Sequence, residues 1–298
     1  MIMPPVYKFL DVKGAKLTLG NKMFKHAKPS DFNDVEDLSI QSIFSEETEA
    51  ALIKLSNGFT DIILDHLNDV PTCNSPIKEK VALLQHLFRS KPEAAILIKA
   101  EIAREGIQKI YDVEHMREQA EATMREINDF MQDYRILCVT TIKDSENMWS
   151  DYAEQHKGIA VRIEPNLAKD SKFRLFRPVI YREKRPPLYD DTLEYMAGSL
   201  FGDQKARLQA TLDKIVYAKT LEWQHECEYR LAIPLRQGEE PWSTLPYHPE
   251  EITELYLGLE MNEVDSDEIV GMARTVNPDI MVFVAKRDAN KTIKFDRV

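Results

Sequence analysis

The chain has 298 residues, and its 50 acidic against 39 basic side chains give a formal net charge of -11. That field repels polyanions, so a protein that coats DNA or RNA nonspecifically is excluded, while a local groove for a short single strand is not. A hydrophobic share of 43%, with only 10 Gly and 15 Pro, excludes disordered and fibrous classes.

In chain order, Val6-Tyr7-Lys8-Phe9 reads as a short strand, and Gly14 and Gly20 as turn positions after it. Residues 28–34 cluster Pro, Ser, Asn and Asp and read as a loop. From 45 to 133 the texture is helical. Ser45 followed by Glu46 and Glu47 marks a helix start, and Leu52, Leu55, Phe59, Ile62, Ile63 and Leu67 recur at helical spacing. Further helices are expected over 77–88, 92–111 and 113–132. Strands follow at 135–141, 158–163 and 173–182, with a short helix over 147–155. A helix over 201–217 precedes strands at 229–233, 252–257 and 280–284, and a helix over 266–276 separates the last two. Strands and helices do not alternate regularly. The expected class is therefore α+β, a mixed β-sheet body with a helical insertion of several amphipathic helices over 45–133, all within one domain spanning 1–298.

No run of about 18 apolar residues occurs, so no membrane span is expected. The opening MIMPPVYKFLDVKGAK lacks the basic start and long apolar stretch of a secretory signal. Cys73, Cys138 and Cys227 lie far apart without C-x-x-C spacing, which suits a reducing cytoplasm and offers no structural zinc site. P-loop, dinucleotide-fold, zincin and α/β-hydrolase signatures are all missing.

Two segments carry most of the candidate chemistry. The first is Lys219-Thr220-Leu221-Glu222-Trp223-Gln224-His225-Glu226-Cys227-Glu228-Tyr229-Arg230. If a strand begins near Glu226, then Glu226, Glu228 and Arg230 share one face. Paired carboxylates suit general-base work or stabilisation of a cation, whereas the plain alternative is an exposed ladder of Glu and Arg. In the second segment Trp149, Tyr152 and His156 fall at i, i+3 and i+7 on one helical face, a stripe that more often packs in a core than binds a ligand. Ser145 or Asn147 suits the cap of that helix, and Gly158 suits its stop.

The order of these segments resembles DUF2971, a bacterial family defined only as a domain of unknown function. The resemblance is carried by Tyr7-Lys8-Phe9, by Phe32-Asn33-Asp34-Val35-Glu36-Asp37, by Met148-Trp149 with Tyr152-Ala153, His156 and Gly158, by Val179-Ile180-Tyr181, and by Lys219, Trp223, Glu226, Glu228 and Arg230. Val139-Thr140-Thr141 stands where the family has Phe-Ser, so Thr140 or Thr141 would have to replace that serine. A more distant resemblance, to ADP-ribosyltransferases, implies an activity: an aromatic-basic first strand, a middle strand ending in Ser or Thr, and a late strand with Glu-x-Glu. It implies NAD as substrate, cleaved with transfer of ADP-ribose, in a toxin or phage-defence effector. Glu228 would stabilise the oxocarbenium ion and Glu226 would orient the acceptor. Tyr7, Lys8, Asn33, Trp149, Tyr152, Lys219 and Arg230 would hold NAD. Two other classes remain: a metal-dependent nuclease built on Glu222, Glu226 and Glu228, and a non-catalytic sensor or interaction module whose helical block binds a protein partner. No membrane partner is expected, and net charge disfavours a nucleic-acid acceptor.

Overall fold

The strand expected near Val6 stands near the middle of an eight-stranded mixed sheet in the computed structural model, which describes residues 3–34, 36–75, 77–105, 113–235, 238 and 243–298. Across the sheet the order is β12 (Ile293–Arg297), β11 (Met281–Arg287), β10 (Ile252–Leu257), β4 (Ile159–Ile163), β1 (Val6–Leu10), β3 (Tyr134–Thr140), β8 (Glu228–Pro234) and β5 (Arg177–Pro178). A separate ladder joins β2 (Met23–His26) to β9 (Ser243–Pro246). The short strands β6 (Ile180–Arg182) and β7 (Ala218–Thr220) lie where the chain passes between its two units. Among the described strands of the sheet, only β10 and β11 pair in parallel; the helix Glu263–Val276 supplies the crossover that a parallel pair needs.

The first unit comprises Met1–Val35, Gln132–Tyr181 and Lys219–Val298. Strand alternation divides its core in two. Val6, Val161, Ile163, Leu255 and Leu257 face the helices Val12–Asn21 and Glu263–Val276, meeting Ala15, Leu19, Ile269 and Ala273. Their neighbours Tyr7, Phe9, Ala160 and Tyr256 share the other cluster with Met148, Trp149 and Ala153, at the helix Glu146–Tyr152. Register aligns Tyr7 with Thr140 and Thr140 with Glu228, so the aromatic-basic strand, the Thr-ended strand and the Glu-x-Glu strand are adjacent.

The second unit is helical. It comprises Glu36–Met131 and Arg182–Ala218. The helices Thr48–Asp65, Ile77–Ser90, Glu93–Glu105 and Val113–Met131 are joined by Thr192–Phe201 and Gln204–Val216. Ile62, Ile63, Val81, Phe88, Ala95 and Leu200 form one of its cores, and the buried pair Asp37–Arg185 (2.9 Å) ties its first segment to its last.

The α+β class and the mixed sheet match expectation, while several elements differ. Gly14 and Gly20 do not mark turns. They lie within the helix Val12–Asn21, capped by the Asp11 carboxylate and buried through Ala15, Thr18 and Leu19. The strand expected over 173–182 is broken into a 3-10 turn, Lys172–Leu175, and the short β5 and β6, since Pro178 cannot donate to a ladder. The helix expected over 201–217 is Gln204–Val216, capped by Asp203, and a helix that was not expected, Thr192–Phe201, capped by Asp191, precedes it. Strands β2, β9 and β12 carried no alternation strong enough to read. Of the helix expected over 92–111 the described part is Glu93–Glu105, and residues 106–112 lie outside the described residues. Among the described residues, no helix is long and apolar enough to cross a membrane.

Candidate functional site

On β8, next to the edge strand β5, the first unit buries an ion cluster. Glu226 and Glu228 are only 3% and 6% exposed, Lys219 is buried, and Arg230 is fully buried. Glu228 and Arg230 sit two apart on β8, and strand alternation brings them together: the guanidinium donates through Nε at 2.9 Å and through an Nη at 2.8 Å to the two carboxylate oxygens. Lys219 donates to Glu226 at 2.6 Å and stands 3.6 Å from Glu228, bridging the pair. The Tyr152 hydroxyl donates to the other oxygen of Glu226 at 2.6 Å. Burial, and next the Glu226 charge, push the Tyr152 phenol far up, so it stays a donor.

Glu226 is not on the strand. It ends the 3-10 turn Leu221–Glu226, and Cys227 follows in the left-handed region at φ 45° before β8 begins. Strand alternation therefore does not bring the two acids together, as the sequence suggested; a left-handed residue does. The Thr140 hydroxyl pins this corner by donating to the Glu226 carbonyl at 2.6 Å and accepting from the Ile142 amide at 3.0 Å. Thr140 thus serves the backbone. A left-handed non-glycine residue costs about 1–2 kcal/mol. Cys227→Gly is expected to leave stability within about 1 kcal/mol of wild type, because the strain relieved offsets the added freedom of the unfolded chain. Cys227→Val is expected to lose about 1–2 kcal/mol, since a branched side chain tolerates that conformation poorly. Urea unfolding of the three proteins checks the order.

Two aromatic rings flank the cluster. Trp223 lies over the Lys219 ammonium at 4.4 Å, and Phe32 lies beneath the Arg230 guanidinium at 5.7 Å. The Tyr181 hydroxyl accepts the Glu228 amide at 2.8 Å. Phe32, Trp223 and Tyr181 lie in the motifs that carry the resemblance, but a ring's position over a cation is a long-range property that their sequence does not announce. Lys8 is half-buried. Burial pulls its pKa down, against the opposing influence of the acidic groups Cys138, Glu228 and Glu226. The Cys138 thiol is pushed well up, first by burial and then by Glu228.

Other candidates do not join the cluster. Trp149 is fully buried, edge-on to Phe9 at 5.0 Å, with its indole N–H donated to the Lys143 carbonyl at 2.8 Å. It presents no free face for stacking. Tyr7 packs edge-on to Tyr256 at 5.8 Å and is 7% exposed. Asn33 is exposed, and no bond links it to the cluster among the described residues. Glu222 is exposed and accepts from the Thr220 hydroxyl. Among the described residues no group of three His, Cys, Asp or Glu could hold a metal ion, so the geometry gives the nuclease reading no ligand set.

Residues 148–231 match the model of the family described as "Protein of unknown function (DUF2971)". The matched stretch contains Trp149, Tyr152, Lys219, Glu226, Glu228 and Arg230, while Lys8 and Asn33 precede it. No curated protein and no solved structure matches the chain. The match therefore covers the ion cluster and carries no activity.

Proposed function

We propose that the ion cluster is the reaction centre of an ADP-ribosyltransferase-like enzyme that cleaves NAD. One observation carries the reading: the three strands that hold the aromatic-basic pair, the terminal threonine and the Glu-x-Glu pair are neighbours in one sheet, with Tyr7, Thr140 and Glu228 in register. Glu228 is held in place by two hydrogen bonds from Arg230, as a carboxylate facing a cationic sugar must be. Glu226, held by Tyr152 and Lys219, is the residue for orienting an acceptor. Arg230 and Lys219 act through these acids rather than on NAD, and Phe32 or Trp223, not Trp149, offers the stacking surface. A toxin or phage-defence setting rests on the resemblance alone. The free Cys73, Cys138 and Cys227 agree with a cytoplasmic setting. The helical unit offers exposed Leu83, Ile96 and Leu97 to a protein partner.

The test is nicotinamide release from NAD by purified protein. Glu228→Gln keeps size and loses charge, and is expected to lower the rate by about 10²–10³-fold, with circular dichroism showing whether the variant folds. No NAD binding by calorimetry and no release by wild type would sink the reading. A second reading would then stand, and one observation favours it: both carboxylates already have cationic partners, as in a structural network inside a non-catalytic module.

A further inference from the structure

The last strand, β12 (Ile293–Arg297), forms one edge of the eight-stranded sheet, and among the described residues no strand lies beyond it. Two backbone bonds fix which of its groups face outward. The Val298 amide donates to the Val282 carbonyl at 3.0 Å, and the Asp288 amide donates to the Thr292 carbonyl at 3.0 Å. Register aligns Val284 with Asp296 and Lys286 with Lys294 between these two bonds. An antiparallel ladder then turns the even-numbered residues of β12 toward β11. Ile293, Phe295 and Arg297 point their N–H and C=O groups away from the sheet.

We infer that this edge pairs with the same edge of a second copy of the chain, antiparallel about a two-fold axis at Phe295. The two copies of Phe295 then exchange both backbone bonds, and Ile293 of each copy meets Arg297 of the other, so every outward group of the strand is used. The charges select this partner. Lys294 of each copy comes directly opposite Asp296 of the other, at the positions without backbone bonds, where side chains lie closest. Within one copy Lys294 lacks that counter-charge. It faces Lys286 in the register, and the nearby Asp296 is bonded to Lys286. Among the described residues Lys294 makes no hydrogen bond and no ion pair, and both it and Asp296 are exposed. Two other registers would use the same outward groups. An axis at Lys294 sets the two lysines opposite each other, and an axis at Asp296 sets the two aspartates opposite; like charges so placed are destabilising. A charged edge of this kind repels strands in general but fits its own copy in one register. Phe295, with its ring 4.8 Å from Tyr256 and 6.1 Å from Trp149, is half-buried and meets its counterpart across the axis on the same face.

An edge of five residues is short, so a dimer in the micromolar range is expected rather than a permanent one. Sedimentation of the full chain from about 1 to about 200 µM, at about 50 and about 500 mM salt, measures it. Wild type is expected to dimerise with rising concentration, and less at high salt. Lys294→Asp and Asp296→Lys each leave like charges at both positions. Each is expected to weaken the dimer at least about tenfold, because the two-fold axis counts every change twice. An equal mixture of the two variants is expected to dimerise again, since the acids of one then oppose the lysines of the other. The double variant Lys294→Asp/Asp296→Lys is expected to do so alone. Circular dichroism shows that each variant folds. Wild type that stays monomeric to the highest concentration overturns the inference. So does a dimer that both single variants keep, which places the interface elsewhere, or a mixture of folded variants that stays monomeric.

Discussion

Arg230→Met is expected to lower folding stability by about 3–5 kcal/mol, because it strands a buried carboxylate. Glu228 is 6% exposed and receives two hydrogen bonds from the guanidinium, with Lys219 at 3.6 Å as a second cation. Lys219 cannot take over, since its short bond goes to Glu226. The cost lies mostly in the unpaired charge rather than in the lost attraction, so Arg230→Met combined with Glu228→Met should recover most of the stability. Urea unfolding of wild type, the single variant and the double variant measures this. A loss below about 1 kcal/mol for the single variant would mean that the cluster is solvated. The same double variant also separates the two readings of the cluster. A structural network can be replaced by apolar residues without loss of function, whereas a reaction centre cannot.

Part of this geometry was legible in the sequence and part was not, for a physical reason that differs from residue to residue. Glu228 and Arg230 obey strand periodicity, a property of adjacent residues, and they meet as that periodicity requires. Glu226 meets the same cluster through a left-handed Cys227, which no local preference announces, since cysteine is not a residue that seeks φ 45°. The segment after Tyr152 is similar. Glu154, Gln155 and His156 all take positive φ, at 51°, 52° and 67°, and none is glycine. The surrounding backbone holds them there: a Cβ on Gly258 would fall 2.0 Å from the His156 carbonyl oxygen, and one on Gly158 would fall 2.1 Å from that of Leu10. The adjacency of β1, β3 and β8 joins Tyr7 to Thr140 and Thr140 to Glu228, residues far apart in the chain, and strand order is not written in any one strand.

The stripe Trp149, Tyr152 and His156 shows where periodicity stops deciding function, and it sets the last test. One helical face carries the first two residues, yet Trp149 enters the core beside Phe9 and Phe295 while the Tyr152 hydroxyl leaves it for Glu226. Trp149 is fully buried, so Trp149→Ala removes the largest side chain of its cluster and is expected to cost about 3–5 kcal/mol. Trp149→Phe keeps most of the packing. It loses the indole bond to the Lys143 carbonyl and leaves a smaller cavity, for a loss of about 1–3 kcal/mol. The functional half of the prediction follows from the same burial. A ring with no exposed face cannot stack on a ligand, so Trp149→Phe should bind NAD with the wild-type Kd, while Trp223→Ala, whose ring covers Lys219 from a partly exposed position, should bind it more weakly. Urea unfolding and calorimetry on the three variants check both halves. Weaker NAD binding by a stably folded Trp149→Phe, with Trp223→Ala unaffected, would return Trp149 to the role the resemblance implies and take Trp223 out of the site.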